Sequence, residues 1–570
     1  MKTLPRNEHP QPQWERENWK NLNGSWAFAF DFGKSGLERE WQVDYSFDQE
    51  ILVPFCPESE LSGIGYTDFM PAVWYQRTIH ISEEQKKNSI LLHFGAIDYF
   101  SQIFINGQSV GTHKGGYSSF FFDISAFVTT GENKITIYVE DDNRRGRQPK
   151  GKQSSLYHSH GCDYTRTTGI WQTVWLEFLP KTHIKEIKYY PNVSERKVTI
   201  EALVTGKGTV NVEVYYKGIL CGKVSAVLTE HGFLEVQLSE THLWEVGHGR
   251  LYDVHCSFEE DRVKSYFGLR EISFKENKFF LNGEPVFQRL VLDQGFYPEG
   301  IYTAPEDDCL KKDIQLSLDA GFNGARLHEK AFEPRFLYHC DQAGYLVWGE
   351  MANWGLDVSS YSSLADFLPE WSSLVSRDFN HPSIITWCPF NESWDYEYRR
   401  QKNEILEMIY HTTKKLDPTR PCVDTSGNYH VITDIYDVHD YAQDVQVFTE
   451  HFTGENQTNG VFWDEHDARQ SYKGEPFCVS EYGGIKWDPT NQSKDSWGYG
   501  EEPKTQEEFY ARYKGLTEVL LNHPKIFGFC YTQLYDVEQE KNGLYFYNRT
   551  PKFDMKRIKE INQQKARIEK

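Results

Sequence analysis

A basic surplus is missing from this 570-residue chain. Asp and Glu number 83 against 61 Lys and Arg, for a formal net charge of −22. A phosphate backbone needs a clustered basic surface, so nucleic acid is excluded as the expected partner. The same balance argues against an anionic membrane surface. Long apolar runs are missing too. The opening MKTLPRNEHPQPQWERENWK lacks the apolar core of a secretory leader. No stretch reaches the roughly 18 apolar residues of a membrane span. The ten cysteines (Cys56, Cys162, Cys221, Cys256, Cys309, Cys340, Cys388, Cys422, Cys478 and Cys530) never stand in a C-x-x-C pair. That removes a zinc ribbon or thioredoxin motif and leaves small buried side chains. Thiols so scattered suit a reducing compartment, and the expected location is cytoplasmic. No tight Asp/Glu/His cluster is legible as a metal site, and no cofactor motif is visible. Internal repeats and low-complexity tracts are also absent.

Aromatic residues are abundant: 16 Trp, 34 Tyr and 37 Phe make up 15% of the chain. Such a share suits β-rich cores and sites that stack flat rings on sugars. Between Leu52 and Phe178, short alternating segments are separated by turns. WYQRTIHI (74–81), ILLHFGAID (90–98), SQIFINGQSV (101–110), NKITIYVE (133–140) and WQTVWLEFL (171–179) alternate at period two, the mark of half-buried strands. Asn106-Gly107 reads as a tight hairpin turn. Many short strands predict a β-sandwich over residues 1–180. A second block at 181–273, with KVTIEALVTG, VNVEVYYKG, FLEVQLS and LYDVHCSF, has the size of an immunoglobulin-like sandwich.

After Phe274 the period changes. Eight strand-like runs alternate with amphipathic stretches: VFQRLVLDQG, FNGARLH, YLVWGEM, IITWCPFNES, CVDTSG, YDVHDY, FCVSEYGG and IFGFCYTQLYD. Strand–helix alternation implies a parallel sheet, and eight units with close to eight crossovers imply a (β/α)8 barrel over 274–570. In the helix expected at 307–320, Leu310, Ile314, Leu316 and Leu318 supply an apolar face, and Gly321 the stop. DMKRIKEINQQKARIE reads as the last helix. The polar segment 442–475 is expected to lie over the barrel mouth.

Barrel enzymes carry their chemistry at the C-terminal ends of strands. The ionisable residues there are Asp293, Arg326, His328, Glu350, Glu392, His439, Asp440, Tyr441, Glu481 and Asp536. Glu392 follows a nearly continuous apolar run, and Glu481 follows Phe477-Cys478-Val479-Ser480. Carboxylates on buried strands beside aromatics are where desolvation moves pKa values. Two that face each other make a glycosidase pair: one protonates the leaving oxygen and the other attacks the anomeric carbon.

The chain resembles glycoside hydrolase family 2. WERENWKNLNGSWAFAFD is similar to that family's N-terminal sandwich signature and DYTRTTGIWQTVWLE (163–177) to its closing motif. FGLREISFKENKFFLNGEPVFQRLVLDQG resembles the entry to the barrel. NHPSIITWCPFNES (380–393) resembles the acid/base signature, and VSEYGG (479–484) the nucleophile signature. The resemblance implies a multidomain chain: an N-terminal jelly-roll β-sandwich, an immunoglobulin-like β-sandwich and a C-terminal (β/α)8 TIM barrel. It implies retaining hydrolysis by double displacement, with Glu392 as acid/base and Glu481 as nucleophile. Arg326 and Tyr441 match positions that hold the nucleophile, and Asn391 the amide that binds the sugar 2-hydroxyl. His328, His439 and Asp293 are expected to bind hydroxyls. Trp354, Trp394, Trp487 and Trp497 are expected as stacking walls. Asp163, Tyr164 and Arg166 are candidates for a sandwich loop lent to the barrel mouth. The family's sandwich domains often build homo-oligomer contacts.

The sugar is the open point. β-Glucuronidase members carry an Asn-x-Lys pair after the last strand, which binds the substrate carboxylate. Here the matching residues are Glu540-Lys541-Asn542. An acidic group facing a uronate repels it. The expected partner is therefore a glycoside or oligosaccharide with a terminal neutral sugar, β-galactoside-like. An α-L-arabinofuranoside or β-D-galactofuranoside is the alternative, and a glucuronide, a galacturonide or a non-catalytic sugar-binding role are further ones. Transglycosylation through the same intermediate is not separable from hydrolysis by sequence.

Overall fold

The computed structural model describes residues 4–569 except 146–147, 455–456, 459, 463–465, 467–468 and 490–494. The first region is a sandwich of two antiparallel sheets. One has the spatial order 49–53, 24–30, 72–81, 131–140, 100–105, 108–114, and the other 19–21, 174–179, 89–94, 120–123. Alternation does what period two demands. Ile135, Ile137 and Val139 of one sheet, and Ile90, Leu92 and Phe94 of the other, turn into one buried core with Trp26, Phe28 and Tyr75. Asn106 (φ 51°) and Gly107 (φ 80°) form the expected hairpin turn between the strands 100–105 and 108–114.

The second region is a smaller antiparallel sandwich. Sequence periodicity breaks KVTIEALVTG from VNVEVYYKG, but the structure runs them together as one strand, Lys197–Tyr216, paired with Ile219–Gln237. The pairing register shifts between Leu203 and Lys207. The glycines there interrupt the alternation without ending the strand, as a bulge does.

The third region is a parallel barrel wall in the order 384–388, 346–350, 324–327, 288–293, 526–532, 477–483, 436–440. These strands are buried on both faces and therefore read as near-continuous apolar runs. The helix Asp307–Asp319 buries Leu310 and Ile314 as expected, but its inner stripe also holds Asp313 and Ser317. Asp313 takes a two-point hydrogen bond from Arg549 at 3.0 Å each, and Ser317 accepts from Tyr345 at 2.6 Å. Each polar intruder is thus satisfied. The last helix is shorter than the sequence suggests, Met555–Asn562. The polar segment 442–475 forms the helix Val445–Thr453, and part of it lies outside the described residues.

One expected strand does not form a ladder. CVDTSG meets the wall only through isolated parallel bridges, Trp387 to Cys422 and Asn391 to Ser426, and the connection 427–435 that follows it has no helix. On its other side, charged side chains replace the ladder. His430 Nδ1 lies 2.8 Å from Asp424, and its Nε2 lies 3.1 Å from the carboxylate of Asp437. Burial opposes a charged imidazole, but the hydrogen bonds and charges of Asp424 and Asp437 win and push His430 up to about 10. Asp437 is correspondingly held at about 2, its burial outweighed by His430. The barrel is stitched at this point by a buried ion triad.

Candidate active site

The strand-end residues converge on one guanidinium. Arg326, fully buried, comes from the short strand Gly324–Leu327. Its Nε donates to Glu350 at 2.6 Å, and one terminal nitrogen donates to Glu481 at 3.0 Å and to the Ser480 carbonyl at 2.7 Å. The other terminal nitrogen donates to Asn391 Oδ1 at 3.1 Å. Burial alone would lower the pKa of Arg326, but Glu350 and Glu481 hold it well above its usual value. A planar fork with several fixed acceptors is an orienting device. It ties the ends of four barrel segments to one another.

Glu481 sits on the strand Phe477–Gly483 with its side chain 5% exposed. Besides Arg326, the Tyr441 hydroxyl donates to its other oxygen. Tyr441 also contacts Thr532 at 2.9 Å and lies flat on Tyr499, 3.5 Å between ring centres at 3°. Two donors from two directions fix the orientation of this carboxylate.

Glu392 is placed differently. It follows the strand Ile384–Cys388 and adopts φ 44°, a left-handed conformation that costs a non-glycine residue energy and clusters at functional sites. Its amide donates to the Ser426 carbonyl at 2.8 Å, so the bridged CVDTSG segment holds the turn. The side chain is 20% exposed and meets His439 Nδ1 at 2.7 Å. The opposite edge of that imidazole lies 3.0 Å from Ser426 Oγ and 3.5 Å from Glu481. Gly427 (φ 72°) permits this position, because a Cβ there would stand 2.0 Å from the His439 ring.

His439 is thus sandwiched between two carboxylates. Burial disfavours its charge, but Glu481 and Glu392 overcome that and raise its pKa above the usual 6.5. Burial likewise raises Glu392, and the hydrogen bond and charge of His439, with Lys152 and Arg326, more than cancel it. The two directions favour a proton on His439 over one on Glu392. One oxygen of each Glu and one His439 nitrogen all lie within 4.8 Å of one another. Such a trio has the spacing of a metal site. With Nδ1 bonded to Glu392 and Nε2 beside Ser426, we read it as a proton-sharing trio.

The other sequence-selected residues fall into three groups. His328 joins the site: its Nδ1 lies 3.3 Å from Glu350 and 3.9 Å from Glu481, and burial, then Lys152, keeps it neutral. Asn391 and Trp354 are locked together, with the indole and the Asn353 amide both donating to the Asn391 carbonyl, at 3.2 and 3.0 Å. Trp394, just beyond Glu392, is 55% exposed. Trp497 lines the loop that pairs with Gln539 and Lys541, and its ring meets Tyr499 edge-on at 4.9 Å. Asp293 and Trp487 have partners elsewhere. Asp293 accepts from Tyr535 and from the Gly295 amide, and burial followed by Asp313 pushes it up to about 6. Trp487 packs on Phe509 and Phe553, towards the outer helix Gln506–Asn522.

Sequence reasoning named Tyr164 and Glu540 separately, but missed that they meet and missed Lys152. Tyr164 of the sandwich donates to Glu540 after the last barrel strand, 376 residues away, and Asn542 donates to the same carboxylate at 2.8 Å. The Thr165 amide reaches Glu538 at 3.1 Å, and Gln539 reaches the Gly161 and Asp163 carbonyls. Of the sandwich candidates, Tyr164 therefore meets the barrel through its side chain and Asp163 through its carbonyl. Arg166 donates to the Thr67 and Leu156 carbonyls, and Asp163 pairs with Lys150. Lys152 brings a cation from the same loop. No local pattern marks Lys152, and none announces that Tyr164 and Glu540 meet.

Three family descriptions match in order: "Glycosyl hydrolases family 2, sugar binding domain" at residues 19–180, "Glycosyl hydrolases family 2" at 182–270 and "Glycosyl hydrolases family 2, TIM barrel domain" at 273–566. Among curated relatives, a β-galactosidase of Thermoanaerobacter pseudethanolicus is 28% identical over 62% of this chain and 48% of its own length. A β-glucuronidase of Streptococcus agalactiae is 23% identical over 95% of this chain and 96% of its own. The chain spans about half the length of the first two curated relatives it matches. A solved β-glucuronidase of Ruminococcus gnavus in complex with D-glucuronic acid superposes with a TM-score of 0.80 at 18% identity, over 98% of this chain and 100% of that one, which speaks to fold alone. With a matching barrel description over more than half its length, behind two matching sandwiches, the chain belongs to glycosyl hydrolase family 2.

Proposed function

We propose that the chain is a retaining exo-glycosidase that removes a terminal neutral sugar, β-galactoside-like, by double displacement. The observation that carries this is the spacing of the acid pair. An oxygen–oxygen approach within 4.8 Å belongs with the ~5–5.5 Å carboxyl separation of retaining enzymes, not with the ~6.5–9.5 Å that leaves room for a water. Glu481, held by Arg326 and Tyr441, attacks C1 while the C1–O bond to the leaving group breaks. The leaving oxygen takes the proton shared by Glu392 and His439. Glu392, then without it, removes a proton from water. The water oxygen bonds to C1 and frees the Glu481 carboxylate, and the proton returns to the pair. Asn391, fixed by Arg326, stands ready for the 2-hydroxyl.

Glu540 supports a neutral sugar. It stands where an amide binds the substrate carboxylate in the glucuronidase pattern, and Tyr164 and Asn542 lock it in place. A β-glucuronide is the second reading, favoured by the relatives that carry that name. Hydrolysis of a nitrophenyl glycoside panel, comprising β-galactoside, β-glucoside, β-mannoside, β-glucuronide, α-L-arabinofuranoside and β-D-galactofuranoside, separates these readings. Glu392→Gln and Glu481→Gln serve as controls. Release from a neutral glycoside, lost in the Glu481 variant, is the expected result. Silence of the wild type on every sugar contradicts the enzyme reading, and release from the glucuronide alone contradicts the neutral one.

A further inference from the structure

The sandwich loop that carries Lys152 is built to dock on the barrel. Gly151 (φ 58°) passes so close that a Cβ would stand 2.3 Å from the Glu329 carbonyl. The Lys150 amide donates to the Trp354 carbonyl at 2.8 Å, and the Tyr164 amide closes the loop on the Lys152 carbonyl at 2.6 Å. Glu329 in turn accepts from the amides of Asn353 and Trp354, fixing the barrel loop from below. Lys152 is delivered across this joint and is only 5% exposed. Its ammonium lies 3.6 Å over the Trp354 ring, the same ring whose N–H holds Asn391.

Among the described residues this ammonium has no hydrogen bond or ion pair of its own. Its three donors are therefore uncommitted. Burying a cation without partners is expensive, and a cation–π contact offsets only part of that cost. The ionisable groups that act on it are Cys162 first, then the acids Glu540, Glu392 and Glu481. Each acid already has donors: Tyr164 and Asn542 on Glu540, His439 on Glu392, Arg326 and Tyr441 on Glu481. His328, also within its field, stays neutral. The free donors thus stand over Trp354, whose N–H holds Asn391 next in the chain to Glu392, with nothing of the protein to bind.

We propose that Lys152, lent by the N-terminal sandwich, is a specificity-determining residue of the barrel site that donates to ring hydroxyls of the terminal sugar. This rests on the glycosidase reading above and names the chemistry that the site recognises. The occupant is a neutral hydroxyl and not a carboxylate. The acids whose charges act on the ammonium would repel an added anion, whereas a hydroxyl accepts hydrogen bonds without bringing charge. Trp354 beneath the ammonium sets its height against the sugar ring. The sandwich is then part of the active site, and its docking on the barrel is a condition for selectivity.

The test takes the substrate that the panel selects and its monodeoxy derivatives at each ring position. Wild type, Lys152→Met and Lys152→Gln are compared by kcat/KM, with thermal unfolding to check that the variants fold. Loss of a charged donor to a hydroxyl corresponds to a fall of roughly 10–100-fold in kcat/KM for Lys152→Met. Lys152→Gln, which keeps a donor, falls less. The deciding result is in the deoxy series. Wild type discriminates against the sugar lacking one particular hydroxyl, and Lys152→Met loses that discrimination while keeping the others, which a merely structural role would not produce. An unchanged deoxy profile in a folded Lys152→Met overturns the proposal while leaving the glycosidase reading intact. So does a wild type that selects the glucuronide and a Lys152→Met that loses it. A wild type silent on the whole panel overturns both.

Discussion

Glu392 and Glu481 are the same residue type at the ends of two strands of one barrel, and their surroundings differ in kind. Glu481 is gripped by a guanidinium and a phenol, neither of which changes charge near neutral pH, and is almost enclosed. Glu392 faces the more open side, on a strained backbone, and its direct side-chain partner is an imidazole. Non-titrating donors hold a carboxylate in one fixed orientation, as attack on carbon needs. A titrating partner makes a proton store, as transfer to a leaving group and back needs. His439 lowers Glu392, and Glu481 with Glu392 raises His439, so Glu392 and His439 titrate as a coupled pair.

The contrast predicts a graded series of losses. Glu481→Gln removes the covalent route and lowers kcat on the panel-selected glycoside by roughly 10⁵-fold. Added azide does not restore β-glycoside product. Glu392→Gln costs about 10²–10⁴-fold with a poor leaving group and much less with a nitrophenol, which departs without a proton. Here azide does restore turnover. If both variants lose equally with every leaving group, the division of roles is broken.

His439→Gln sharpens the comparison through pH. In the wild type, the shared proton is lost as pH rises through the raised His439 value, so the alkaline limb of kcat/KM lies above 6.5. Without the imidazole, Glu392 alone must hold the proton, and the limb moves to lower pH. A pH–rate profile with an unmoved limb contradicts the shared store. Gly427→Ala acts on the same pair indirectly, since its methyl would collide with the His439 ring. It is expected to reproduce the limb shift with a smaller fall in rate.

The smallest effect on rate and the largest on stability belongs to the ion triad of the barrel wall. His430→Gln strips the charged partner from two buried carboxylates and is expected to cost about 3–5 kcal/mol, read as a lower midpoint in urea. The sign of the pH dependence follows. His430 is raised to about 10, so its contribution is full below 6.5 and disappears as pH rises through about 10. Asp437 is depressed to about 2, so its contribution is full above 3.8 and disappears as pH falls through about 2. Wild-type stability that is flat from pH 8 to 11, once other titrations are matched by the His430→Gln control, contradicts the triad.

Much of this was legible in the sequence because it is local. Apolar runs ending in a polar residue mark the strands that carry Asp293, Arg326, Glu350, His439 and Glu481 and the strand that Glu392 follows, and a strand's end is where a barrel exposes chemistry. CVDTSG looked like the others, yet its short polar run forms only bridges, and the wall beside it is stitched by His430, which no periodicity reveals. Trp354 and Trp487 have the same composition signal and opposite fates, one beneath the Lys152 ammonium and one against an outer helix, because the loop path decides which way a ring turns. Lys152, Tyr164 and Glu540 are joined across nearly 400 positions, and single-sequence patterns carry no information at that range.

The central claim is that Glu481 bonds to the sugar while the Glu392–His439 pair moves the proton. It is tested most directly by trapping. The protein is incubated with a 2-deoxy-2-fluoro glycoside of the selected sugar bearing a dinitrophenyl leaving group, and the intact mass and the labelled peptide are read by mass spectrometry. The account predicts stoichiometric addition of one fluorosugar, mapped to Glu481 within FCVSEYGG. A label on any other residue, or an active enzyme that takes no label and releases sugar of inverted configuration, contradicts it.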